Sequence, residues 1–143
     1  MRSPCYRIST TEAQMNGCCH CKEVTFSSSQ QIKAILNCHC GLCRKMNGSA
    51  FSTYVVVPSH EFSLTSGTLK TVKVSEHSTK SFCVSCGTPI YNQSTRYPGL
   101  TIIHYGALND VSHLSPVLDT YCANQVPWIE KLSQIKKLEA GIG

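Results

Sequence analysis

Charge is scarce in this sequence: Asp, Glu, Lys and Arg make up 15% of 143 residues. No apolar run approaches the ~18 residues that a membrane-spanning helix needs, so no membrane role is expected. The first stretch, MRSPCYRISTTEAQMNG, carries no apolar core of the kind a secretory leader requires, and a cytoplasmic setting is the expectation. There is no glycine-rich phosphate loop and no G-x-S-x-G elbow, which sets aside phosphate-loop nucleotide chemistry and the α/β-hydrolase mechanism. Internal repeats, low-complexity tracts and heptads are also missing. The formal net charge of +5 ignores any metal-bound thiolates, so it does not point to nucleic acid. Lys131, Lys136 and Lys137 read as a solvated helix face.

Cysteine, by contrast, is abundant, with 10 residues. In a reducing compartment, closely spaced cysteines read as metal ligands more readily than as disulfides. A chain of this length is one domain's worth, and we expect residues 1–16 to be a tail or edge strand and 17–143 to be the domain. The runs EVTF, IKAILNCHC, AFSTYVVV, EFSLT, LKTVKV, KSFC, PIYNQ and LTIIHYGAL are rich in β-branched and aromatic residues and are separated by Gly, Ser and Pro. They predict an all-β domain of short antiparallel strands. Ser66-Gly67 predicts a hairpin joining EFSLT to LKTVKV. In PWIEKLSQIKKLEA, residues Ile129, Leu132, Ile135 and Leu138 recur at helical spacing, predicting a short C-terminal helix with its apolar stripe in the core.

Seven cysteines fall in three clusters: Cys19 and Cys21, then Cys38, Cys40 and Cys43, then Cys83 and Cys86. Residues two apart in a strand share a face, so each C-x-C can aim two sulfurs at one metal while His20 or His39 points away as a hydrogen-bonded group. Cys43 fits a strand leaving into a turn, and CVSCG is a zinc-knuckle type of turn. A closed site takes four ligands, and two pairs from distant segments make the simplest assembly, Cys19 and Cys21 with Cys83 and Cys86. Cys38, Cys40 and Cys43 would then hold a second zinc with an open position. The other reading is one structural zinc plus three unmetallated thiols. Cys5, Cys18 and Cys122 are expected to be packing residues, with Cys122 as a fourth ligand of the second site the alternative.

GCCHCKEVTF, CHCGLCRKMNGSAF and FCVSCGTPIY resemble the three signature segments of the glutathione-dependent formaldehyde-activating enzyme family, which includes the centromere protein V domain. GALND and PW resemble its weaker C-terminal signatures. The resemblance implies a zinc-binding β-tent fold with two Zn²⁺ per chain, a structural one on Cys19, Cys21, Cys83 and Cys86 and a catalytic one on Cys38, Cys40 and Cys43. It further implies a carbon–sulfur lyase that joins a thiol, glutathione or similar, to formaldehyde or another small aldehyde. A soft, sulfur-rich zinc suits that chemistry, because it can accept a thiol and lower its pKa. Arg44 and Lys45 would balance the thiolates or meet a glutathione carboxylate. The sequence departs from the family at Lys22, where Gly is common, at Asn109, where Asp is common, and at Asp119 and Thr120, where a His is frequent before an apolar residue. The competing reading is a non-catalytic zinc module that binds a protein or nucleic acid.

Overall fold

A computed structural model describes residues 14–142. Strands β1 (Gln14–Cys18), β2 (Thr25–Ser29) and β5 (Phe62–Ser66) form a small sheet in the order β1-β2-β5. A larger sheet runs β10-β3-β4-β9-β8-β7-β6, built from β3 (Ala34–Cys38), β4 (Ser52–Pro58), β6 (Leu69–Lys73), β7 (Ser78–Cys83), β8 (Pro89–Ser94), β9 (Leu100–His104) and β10 (Leu118–Thr120). The named strands pair antiparallel except β10, which lies parallel to β3. The fold is mostly β, as expected. Among the described residues no helix is long and apolar enough to cross a membrane.

Side-chain alternation divides the large sheet into two faces with different tasks. Ile35, Val55, Ile103 and Tyr91 belong to the face that packs with Met15 and Phe26 of the small sheet. The Phe26 and Phe62 rings stack at 5.3 Å, and Phe62 meets Tyr91 edge-on at 5.0 Å, joining the two layers. The even-numbered positions form the other face. Ala34, Val56, Ile102, Asn92 and Lys80 stand in one cross-strand row of that face. It carries the cavity described below.

Two expectations change. The strands flanking Ser66-Gly67 do not pair: β5 joins β2 and β6 joins β7, so the turn carries the chain from one sheet to the other. Gly67 is needed there for a second reason besides its φ of 91°, since a Cβ would lie 2.5 Å from the Glu23 carbonyl oxygen. The C-terminal helix forms over Pro127–Gln134, but as a 3₁₀ helix broken at Lys131 (φ −107°, ψ 15°). Of the expected apolar stripe, Leu132 in the helix and Ile135 and Leu138 beyond its end are exposed rather than in the core. An i, i+3 spacing such as Ile129 to Leu132 fits the 3.0-residue turn of a 3₁₀ helix as well as an α-helix, so it did not separate the two.

Candidate metal centres and the cavity

The first cluster gathers Cys19, Cys21, Cys83 and Cys86, whose sulfurs all lie within 4.8 Å of one another. Cys19 and Cys83 are buried; Cys21 and Cys86 are exposed. The Cys19 and Cys21 sulfurs are 3.4 Å apart, and those of Cys21 and Cys83 3.8 Å. Cys19 and Cys21 occupy the β1–β2 turn, not a strand as the spacing suggested. The turn is closed by Cys19 N donating to Val24 O (3.0 Å) and Lys22 N to Cys19 O (3.1 Å), and it puts Lys22 at φ 69°. That explains why a glycine suits this position. The Val24 amide donates to the Cys19 sulfur at 3.3 Å. The other pair sits where β7 ends, in a turn closed by Gly87 N to Cys83 O (2.9 Å) with Gly87 at φ 80°. Thr88 ties the pairs together by accepting from the His20 amide at 3.0 Å. His20 is exposed rather than in the core, and it is not a member of the cluster.

The second cluster is Cys38, Cys40 and Cys43, again within 4.8 Å. Cys38 ends β3, and Cys40 caps a helix that the sequence reading took for a turn, α1 (Gly41–Asn47). The Cys43 amide donates to the Cys40 sulfur at 3.2 Å, and Gly48, in the left-handed region at φ 62°, ends the helix. Local capping chemistry thus turns C-x-C-x-x-C into a three-sulfur clasp. Within it, the hydrogen bond from Cys43 pulls the Cys38 thiol down to about 5, and the same bond holds the Cys43 thiol up. The Tyr54 hydroxyl donates to Cys43 Sγ at 3.1 Å. Burial first, then Cys43, raises the Tyr54 phenol, so it stays protonated at neutral pH. Cys122 is exposed and stands outside the cluster, neither packed in the core nor a fourth member; Cys5 lies outside the described residues.

Behind the clasp, buried His39 meets Asp119 Oδ1 at 3.1 Å through Nε2, and the Asn37 amide donates to the same oxygen at 3.0 Å. The Asn37 bond and then the His39 bond hold the Asp119 carboxyl below its usual range. His39 is therefore the interior hydrogen-bonding group its alternation predicted. The parallel β10–β3 pairing builds this support, with His39 N donating to Thr120 O at 3.0 Å.

The cluster lines a cavity of about 760 Å³ on the even face of the large sheet, shared with Asn47, Tyr54, Lys80, Asn92 and Arg96. Lys80 is buried and donates to Met46 O at 2.5 Å and Asn47 Oδ1 at 2.7 Å, capping the carbonyl end of α1. Burial lowers its pKa, while the charge of Cys43 pushes back. His104 Nε2 donates to Asn92 Oδ1 (2.9 Å), and burial followed by the Lys80 charge depresses it to about 3. Arg44 and Lys45 are not in this cavity. They line a shallower groove with Trp128, on the helix face opposite Cys43 and Met46, and Arg44 Nη1 donates to Asn124 O at 2.9 Å. Among the described residues, the lysines and arginine that line the cavity are Lys33, Lys80 and Arg96. Sequence reasoning missed Tyr54 and Lys80, whose signal was their even position in β4 and β7; reading it needs the strand register.

Residues 14–124 match the model of the family described as glutathione-dependent formaldehyde-activating enzyme. The chain belongs to this family. Its fold is also similar to a crystal structure of a Rhodobacter sphaeroides protein from a structural genomics programme, with a TM-score of 0.58 at 19% identity over 74% of this chain and 100% of that one. In this member of the formaldehyde-activating family, each of the two cysteine clusters has a donor set able to hold a metal ion.

Proposed function

We propose that the protein is a zinc-dependent carbon–sulfur lyase that joins a thiol such as glutathione to formaldehyde or another small aldehyde, with one zinc on each cysteine cluster. The observation that carries this reading is that the three-sulfur cluster, and not the four-sulfur one, lines the cavity. Sulfurs on a tetrahedral zinc lie about 3.8 Å apart, given a Zn–S bond of about 2.3 Å. The spacings of 3.4 and 3.8 Å in the first cluster fit that ion. Cys19, Cys21, Cys83 and Cys86 would fill a zinc ion's four positions; Cys38, Cys40 and Cys43 would leave one for substrate. Zinc bound at the latter supplies a Lewis acid that lowers the pKa of a substrate thiol.

The chain's own groups complete the chemistry. Three thiolates outweigh Zn²⁺ by one charge, and Lys80 places a buried ammonium in the same cavity to offset it. In the reaction the S–H bond breaks, sulfur bonds the carbonyl carbon, and the π pair moves to oxygen, which takes the proton. Two of Lys80's three donors are used, which leaves the third available to that oxygen. Tyr54 holds Cys43 in place through its hydroxyl. Arg96, which follows β8, is a cation available for a carboxylate of the thiol. Cytoplasmic placement belongs to this reading, because the ligand thiols must stay reduced. The test is NMR exchange spectroscopy of glutathione, formaldehyde and their adduct with zinc-loaded protein; acceleration well above the spontaneous rate is expected, and an unchanged rate would contradict the proposal.

A further inference from the structure

The lining of the cavity changes character along the sheet. On β10, β3, β4 and β9 it offers Leu118, Leu36, Val56 and Ile102, with Thr120 and Tyr54 near the cysteines; on β8 and β7 it offers Asn92, Gln93, Ser94, Ser78 and Lys80. Cys38 belongs to β3, on the apolar side. The rim adds large apolar groups that the fold leaves uncovered: Leu42 is 40% exposed, Met46 37%, Leu118 51% and Tyr121 59%. Uncovered apolar groups at the rim of a cavity that holds a reactive cluster mark a surface that a ligand covers. Formaldehyde has no carbon chain to place there, and glutathione is mostly polar.

We infer that the aldehyde partner carries an apolar chain or ring, seated on Leu36, Val56, Ile102 and Leu118, while the polar body of the thiol lies over β8 and β7. This rests on the thiol–aldehyde reading and names its substrate class. The product is RS–CH(OH)–R′ with R′ apolar: the S–C bond forms, the S–H bond breaks and the carbonyl oxygen takes the proton. Nothing is oxidised and nothing leaves.

The test uses S-alkylglutathiones from methyl to octyl, thioethers that carry the adduct's sulfur and carbon chain but cannot exchange, titrated calorimetrically into the zinc-loaded protein. Affinity should rise about two- to fourfold per added methylene until the wall is filled. Leu118→Gln and Leu42→Gln, both at exposed positions that tolerate a polar group, should each flatten that rise. A flat series, or no binding by any member, overturns the inference. Whether the thiol–aldehyde reading falls with it is decided separately by the formaldehyde exchange rate, which does not depend on the apolar wall.

Discussion

The two cysteine clusters use the same ligand type and differ in what surrounds them. The tetrad joins the β1–β2 turn to the end of β7, so it staples the small sheet to the large one and buries Cys19 and Cys83 in the core. The triad is local: all three sulfurs come from six consecutive positions, and they line a cavity instead of linking layers. On the proposed reading, a metal held by the long-range tetrad is part of the fold, and one held by the short-range triad is free for chemistry.

Breaking the tetrad should have the largest effect. Cys86→Ser is expected to unfold the protein or lower its melting temperature drastically, because a structural zinc contributes on the order of 10 kcal/mol. Thermal melts with metal analysis check this, and a melting temperature within a few degrees of the wild type would remove the distinction. Cys40→Ser should do the opposite, since serine is an equally good helix cap in place of the Cys40 sulfur. Adduct exchange should fall to the spontaneous rate while the circular dichroism melt moves only a few degrees.

Within the cavity, Lys80→Met should lower the turnover rate about 100-fold by removing the donor to the developing oxyanion, with Lys80→Arg retaining part of it. Exchange rates measured at saturating thiol read this out. Acid acts on stability rather than on turnover. His104 is depressed to about 3 when folded, against 6.5 for the unfolded side chain. The unfolded state therefore binds the extra proton between those values, and stability should fall by up to about 1.4 kcal/mol per unit as pH drops from 6.5 toward 3. Urea titrations at stepped pH, with a His104→Gln control that flattens part of the slope, test it. Smallest is Lys22→Gly, which relieves a left-handed residue and should gain about 0.5 kcal/mol.

The strands and the cysteine partition were legible because alternation and ligand spacing are local signals. What was not legible depends on distant partners. The Ser66-Gly67 turn has the composition of a hairpin, yet β5 finds β2 and β6 finds β7, and only tertiary pairing decides that. Helix α1 was hidden by its own chemistry: Cys40 works as its cap, a role that composition assigns to Ser, Thr, Asp or Asn. Lys80 stands near Cys43 because β7 reaches β4 through β8 and β9, an order no single segment encodes.

Cobalt(II) substitution addresses the difference between the clusters most directly. With both sites loaded, adding glutathione should change the sulfur-to-metal absorption of one ion per chain. The change should vanish in Cys40→Ser, which keeps the tetrad's ion. A spectrum indifferent to the thiol in the wild type, with two ions bound, would mean that both clusters are closed and that the cavity is not where this protein does its chemistry.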